Sequence, residues 1–167
     1  MLFYEVKVTY QRQTGEDNPG NVRETYLVEG LTPSDVEARL MEYIKPYIMS
    51  DLEMPSCTKK QFMEIISSPE GDKWYKGRVE LITVEDNGKE TRKAVSVLVQ
   101  ATNITWALKN LTNAMSGYDC EVVSITRSPI MEVLRAVNGR KTAINRANVD
   151  RLAATGNVAL KFTFHAL

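Results

Sequence analysis

Alternation of apolar and polar positions marks the strands of this chain. Near the start, Tyr4, Val6, Val8 and Tyr10 share one side of a segment whose other side is mostly polar, which is typical of a half-buried strand. A turn-forming stretch follows, and residues 23–29 then predict a return strand. A second pair of such segments is joined by Asp86-Asn87-Gly88, a strong hairpin-turn signal. The pattern therefore predicts two β-hairpins.

Two further segments have helical periodicity. Thr32 offers an N-cap hydroxyl before Pro33 at the first helical position. The second helix is predicted to begin near Thr102 or Asn103 and to end at Gly117. Both helices carry an apolar stripe suited to covering a sheet. The stripe consists of Val36, Leu40, Tyr43 and Tyr47 in the first helix and Ala107, Leu111 and Met115 in the second.

The hairpins and helices occur in two similar parts of the chain. An offset of 71 residues, as from Tyr4 to Tyr75, aligns the early strands, and an offset of 68, as from Met63 to Met131, aligns the later ones. Internal repetition of this kind indicates a duplicated architecture. The matched segments are 3–8 with 74–79, 27–30 with 98–101, 56–59 with 124–127 and 62–66 with 130–134.

The expected fold class is α+β, with two pseudo-symmetric ββαβ repeats whose helices pack on one face of antiparallel sheet. Residues 1–66 form the first repeat, residues 67–73 the linker and residues 74–134 the second repeat. A basic C-terminal extension, residues 135–167, is predicted to form a helix and then a strand. The apolar side of that strand, with Val158, Leu160, Phe162 and Phe164, needs cover from the chain's own sheet or from a second copy, so a homo-oligomer is one expectation.

Composition and charge narrow the class of protein. The chain has 167 residues, 43% hydrophobic and 25% charged, as in ordinary globular proteins. No apolar run approaches the roughly 20 residues of a membrane helix, and no signal-peptide core is visible, so we expect no membrane partner and a cytoplasmic location. The net charge is zero, but residues 135–167 hold six Lys or Arg against Asp150. This basic tail suits either an acidic partner or attraction to the acidic front of the chain.

Signals for chemistry are sparse. His165 is the single histidine, and Cys57 and Cys120 are too few and too far apart in sequence for a zinc site, so no metal is expected. The sequence has no nucleotide-binding or hydrolase motif, so we expect neither a cofactor nor an enzyme. Glu64 and Glu132 match across the repeats and could form a carboxylate pair in a cleft between the repeats, but two solvent-facing strand residues are the simpler interpretation.

One group of residues has the composition and spacing expected of a nucleic-acid-binding site. Trp74, Lys76 and Arg78 alternate on one side of a strand, and Phe3 and Lys7 repeat the arrangement in the first part. An aromatic ring beside cations can stack a base while the cations meet phosphates. The competing interpretation is an aromatic plug at a sheet end beside solvated charges. The basic residues of the extension would add to the binding surface; they are Arg140, Lys141, Arg146 and Arg151.

Residues 74–79, 98–101, 124–126 and 130–133 resemble the pattern of an uncharacterised domain-of-unknown-function family, family 4494, found in Bacteroidetes, their mobile elements and their phages. The resemblance covers residues 1–134. It implies a phage or mobile-element setting and transfers no functional residue. The leading hypothesis is a non-enzymatic binding protein that engages single-stranded nucleic acid. The alternative is a protein-interaction factor, such as a virion component or an inhibitor of a host system.

Overall fold

The computed structural model describes residues 2–13 and 19–136, which form eight strands and two α-helices. The predicted C-terminal helix and strand lie outside the described residues. The strands are β1 (Phe3–Gln13), β2 (Pro19–Glu29), β3 (Glu53–Lys60), β4 (Glu64–Ile66), β5 (Lys73–Val84), β6 (Glu90–Ala101), β7 (Cys120–Arg127) and β8 (Ile130–Leu134). The helices are α1 (Pro33–Ile44), which continues into a 3-10 turn at Lys45–Tyr47, and α2 (Ile104–Ala114).

The mixed α+β class is confirmed, and the strands form two four-stranded sheets. Sheet A has the order β3-β1-β2-β8, and sheet B has the order β4-β6-β5-β7. Within each sheet, three strands come from one half of the chain and pair antiparallel. The fourth comes from the other half and pairs in parallel, β8 with β2 and β4 with β6. The expectation of antiparallel sheet is therefore wrong for β4 and β8, because each of these strands joins the sheet built by the other half of the chain.

The two parallel strands are held at their C-terminal ends by side chains of the strands beside them. Gln100, at the end of β6, accepts a hydrogen bond from the Ser68 amide at 3.0 Å and donates one to the Gly71 carbonyl at 2.9 Å. Glu29, at the end of β2, accepts a hydrogen bond from the Ala136 amide at 2.8 Å. Each half of the chain is thus attached to the sheet of the other half by backbone pairing and by a side-chain contact.

Apolar clusters on both faces of each sheet give the molecule four layers. Helix α1 packs on one face of sheet A, and α2 packs on one face of sheet B. A further cluster lies on the opposite faces of both sheets, because side chains alternate along each strand. It joins sheet A to sheet B and consists of Phe3, Leu27, Trp74, Leu98, Ile130 and Val133. We call this set the inter-sheet cluster and the sheet faces that carry it the inner faces. The layer order is helix, sheet, sheet, helix.

Local sequence chemistry explains the helix starts and one turn. Thr32 and Asp35 form a capping box, in which the Thr32 hydroxyl accepts from the Asp35 amide at 3.2 Å and the Asp35 carboxylate accepts from the Thr32 amide at 3.1 Å. Asn103, one of the two predicted starts of α2, accepts from the Trp106 amide at 3.0 Å. Gly88 has a φ of 79° in the β5–β6 turn. The capping and turn predictions are confirmed at these positions.

Within the part of the chain that the structure describes, neither helix has the length and apolar character required to cross a membrane.

Candidate nucleic-acid interface

Strand β5 presents two chemically different faces. Tyr75 and Val79 point under α2, and Gly77 between them lets the helix approach closely: a Cβ at Gly77 would lie 2.6 Å from Leu111 Cδ2. The inner face carries Trp74, then Lys76, then Arg78. Trp74 is 2% exposed, whereas Lys76 and Arg78 are exposed to solvent. The inner face is therefore apolar where the two sheets meet and cationic further along the strand.

Both aromatic residues of the predicted site belong to the inter-sheet cluster. Phe3 is 7% exposed and packs in the same cluster as Trp74. Neither ring offers a face on which a base can stack, which corrects the aromatic part of the sequence-based site. The physical reason is that each ring lies at the start of the first strand of its half, where the inner faces of the two sheets contact each other. These two side chains hold the sheets together.

The cations of β5 each lie beside a hydroxyl of β7. Lys76 is directly opposite Thr126, and Arg78 is directly opposite Ser124 in the antiparallel ladder. Directly opposite residues project from the same face of a sheet with their Cβ atoms about 5 Å apart. All four side chains are exposed. We call Lys76, Arg78, Ser124 and Thr126 the cation–hydroxyl row.

Sheet A carries one similar pair. Lys7 is exposed and lies opposite Ser56 in the β1–β3 ladder. The Ser56 Oγ lies 3.5 Å from the Thr58 Oγ1 on the same strand. The predicted cations Lys7, Lys76 and Arg78 are therefore divided between two sheets. The remaining predicted cations, Arg140, Lys141, Arg146 and Arg151, lie outside the described residues.

Sequence reasoning missed the hydroxyl partners. In the sequence, Ser124 and Thr126 look like ordinary strand residues. Their possible role in binding becomes visible only once the structure shows which residues of β5 lie opposite them. The available signal was the match of Ser56 and Thr58 with Ser124 and Thr126 at an offset of 68. This match places a hydroxyl at corresponding positions of the two halves.

The nearest carboxylates on the β5–β7 ladder are engaged by Arg92. Its Nη1 lies 2.8 Å from Glu121 and 3.4 Å from Glu80, and its Nε lies 2.7 Å from Glu90. The hydrogen bonds to Glu90, Glu121 and Glu80 raise the pKa of the Arg92 guanidinium above its ordinary value. Lys76 and Arg78, by contrast, form no ion pair with any described carboxylate. Their charges remain available to a ligand.

The candidates for covalent or metal chemistry are not brought together. Burial, followed in size by the nearby Glu37 carboxylate, raises the pKa of the Cys57 thiol, which keeps the thiol protonated. Glu64 is exposed on β4 and Glu132 is buried on β8, in different sheets. Across residues 2–13 and 19–136, no three His, Cys, Asp or Glu side chains are grouped as a metal site.

Fold and surface together define a four-layer α+β domain with an exposed row of cations and hydroxyls on the inner face of one sheet. The chain belongs to the family described as Domain of unknown function (DUF4494), whose model matches residues 2–136. The family assignment made from the sequence is thereby confirmed. None of the curated proteins compared with the chain matches it.

Proposed function

We propose that this protein is a non-enzymatic binding protein that holds the phosphate backbone of single-stranded nucleic acid along the cation–hydroxyl row. The observation that supports this proposal is the in-register pairing of Lys76 with Thr126 and of Arg78 with Ser124 on one exposed face. Lys, Arg, Ser and Thr are among the side chains that donate hydrogen bonds to phosphate oxygens in nucleic-acid complexes.

The spacing of the row suits an extended single strand. Lys76 and Arg78 are two residues apart on one strand face, which separates their Cα atoms by about 6.7 Å. This is of the order of one nucleotide step in a stretched strand, so successive phosphates can meet successive cations. Each phosphate could also accept a hydrogen bond from the hydroxyl beside its cation. Because Phe3 and Trp74 are buried, the row would contact the phosphate backbone without discriminating between bases.

The finer architecture that we propose is a pair of pseudo-symmetric repeats that exchange their last strands. Two pairings support it. Ile65 of β4 lies opposite Leu98 of β6, and Val133 of β8 lies opposite Leu27 of β2. Ile65 and Val133 are 68 residues apart, and Leu27 and Leu98 are 71 residues apart. These are the two offsets that align the sequence repeat.

The same offsets relate two hydrogen bonds. The Ser68 amide donates to Gln100, and the Ala136 amide donates to Glu29. Under this proposal, the Lys7–Ser56 pair of sheet A is the counterpart of the Arg78–Ser124 pair of sheet B. The protein would then carry a second, smaller phosphate contact on its other sheet.

The biological setting that we propose is the cytoplasm of a bacterial host carrying a phage or mobile element. Its support is the family resemblance. The proposed homo-oligomer is supported only by the alternating apolar residues of the C-terminal extension.

Fluorescence anisotropy with a labelled oligothymidylate of twelve nucleotides tests the proposed function. The double variant Lys76→Gln/Arg78→Gln should bind roughly tenfold more weakly than the native protein, because two phosphate contacts are lost. The matched control is Lys45→Gln/Lys89→Gln, which removes the same charge from exposed positions off the row. Equal weakening in both double variants would show a nonspecific charge effect and contradict the proposal.

A second candidate function, a protein-interaction factor, is favoured by a separate observation. The first half of strand β6 has an open backbone edge beside a cleft whose charged residues are mainly cations.

A further inference from the structure

Strand β6 is much longer than the strand that covers its outer edge. β6 has 12 residues, from Glu90 to Ala101, whereas β4 pairs only with Val97–Val99. Among the residues that the structure describes, no strand lies on the β4 side of residues 90–95. The first half of β6 therefore leaves backbone groups without a ladder on that side.

The direction of those groups follows from the hydrogen bonds beside them. The Met63 amide donates to the Ser96 carbonyl at 2.8 Å, so the Ser96 carbonyl points toward the β4 side. Backbone groups of alternate residues point to the same edge of a strand. The amide and carbonyl of Ala94 therefore point to the same open edge. An extended chain laid against this edge would find a donor and an acceptor in position.

A cleft of about 980 Å³ lies along this edge, and Lys93–Ser96 form part of its wall. Its charge is mainly positive. Lys60, Lys93 and Arg135 line it, against the single carboxylate of Glu64. Lys93 and Arg135 are exposed and Lys60 is half-buried, so the three cations are reachable from solvent.

Apolar side chains also line the cleft. Phe62 and Ile65 are half-buried and pack against the inter-sheet cluster, and Leu81 is half-buried on the far side of β6. Met63 is more exposed. A strand in the cleft could direct alternate side chains toward apolar and cationic surroundings, which is the usual source of specificity when a peptide extends a sheet.

We propose that the open edge of β6 binds an extended acidic segment of a partner polypeptide as an added strand. The main-chain groups of Ala94 would supply the ladder contacts, and the cations of the cleft would select acidic side chains. A second copy of this chain and nucleic acid are the competing occupants. This site is separate from the cation–hydroxyl row, which lies on β5 and β7.

The test uses the full chain and three labelled octapeptides in fluorescence anisotropy. The first alternates Glu with Val, the second alternates Lys with Val, and the third is the Glu peptide with every backbone amide N-methylated. We expect saturable binding of the first alone, because the second has the wrong charge and the third has lost the donors that a ladder requires. No saturable binding of the Glu peptide, or equal binding of the N-methylated peptide, would overturn strand addition.

Two variants locate the binding. Lys60→Gln/Lys93→Gln should weaken binding of the Glu peptide roughly tenfold. Ala94→Pro removes one edge-facing amide and should abolish it, whereas the matched control Ala94→Ser keeps that amide and should bind normally. If Ala94→Pro fails to fold by circular dichroism, the lysine variant decides the question. Unchanged peptide affinity in Lys60→Gln/Lys93→Gln would overturn the placement in this cleft.

The competing occupants give distinct results. Displacement of the peptide by oligothymidylate that persists in Lys76→Gln/Arg78→Gln would assign the cleft to nucleic acid and overturn the proposal. A lower light-scattering mass for Ala94→Pro, without peptide binding to the native protein, would assign the edge to a second copy and would equally overturn it.

Discussion

Replacing Trp74 separates a structural role of this ring from a binding role. The side chain is 2% exposed and packs with Phe3, Leu27 and Leu98 between the two sheets. Trp74→Ala removes most of this contact, and truncation of a buried Trp to Ala typically costs about 3–5 kcal/mol in the free energy of unfolding. With a urea m-value of roughly 2 kcal/mol/M for a protein of this size, the midpoint should fall by roughly 2 M.

The indole nitrogen makes Trp74→Phe an informative companion variant. Trp74 Nε1 is buried and has no hydrogen-bond partner among the described residues. An unsatisfied buried donor costs about 1–3 kcal/mol, so removing it offsets part of the packing that the smaller ring loses. We expect the free energy of unfolding of Trp74→Phe to lie within about 1 kcal/mol of the native value.

Urea unfolding followed by circular dichroism measures both variants, and oligothymidylate anisotropy in the absence of urea measures binding. Because the ring is buried in the inter-sheet cluster and offers no face to a ligand, Trp74→Phe should bind like the native protein. A native-like midpoint for Trp74→Ala would refute the inter-sheet role. If Trp74→Phe were as stable as the native protein but bound the oligonucleotide more weakly, the result would support a base-stacking role for Trp74.

Further predictions concern the helices, one turn and the oligomeric state. Gly77→Ala should lower the free energy of unfolding by about 1–3 kcal/mol, because the new methyl group overlaps the buried Leu111 side chain; thermal denaturation measures the change, and an unchanged Tm would contradict it. Leu40→Ala and Leu111→Ala should each cost about 2–5 kcal/mol by urea unfolding, since both side chains are fully buried under their sheets. Gly88→Ala should cost about 1–2 kcal/mol because its φ of 79° is left-handed, and the same variant should leave oligonucleotide affinity unchanged. Light scattering should give a dimer or larger for the full chain and a smaller species for a chain ending at Ala136; a monomeric full chain would exclude association through the extension.

Local features of the fold could be predicted from the sequence because neighbouring residues determine them. The capping box at Thr32, the cap at Asn103 and the glycine turn at Gly88 depend on side chains within a few positions of the feature. The apolar stripes of the helices could be predicted in the same way, because Leu40 and Leu111 each lie at helical spacing from other apolar residues. These predictions required no knowledge of which sheet each helix covers.

The pairing of β4 and β8 with strands of the other half of the chain could not be predicted in this way. Ile65 and Val133 have the same apolar character whether they pair within their own half or with the other half. Alternation shows which side of a strand is apolar. It does not show which strand pairs with which, because that choice depends on long-range packing.

The burial of Trp74 has the same origin. Alternation correctly placed Trp74, Lys76 and Arg78 on one face, opposite the face that α2 covers. Whether a second sheet covers that face is a property of the whole fold. The sheets cover it at Trp74 and leave it open at Lys76 and Arg78, so the cationic part of the predicted site is exposed and its aromatic part is not.

The salt dependence of oligonucleotide binding tests the central claim most directly. For single strands, the logarithm of the association constant falls with the logarithm of the salt concentration with a slope of about −0.7 for each phosphate neutralised. If Lys76 and Arg78 each neutralise one phosphate, the slope for Lys76→Gln/Arg78→Gln should be shallower than the native slope by about 1.4. The Lys45→Gln/Lys89→Gln control should keep the native slope. Identical slopes for the native protein and Lys76→Gln/Arg78→Gln would contradict phosphate binding at the cation–hydroxyl row.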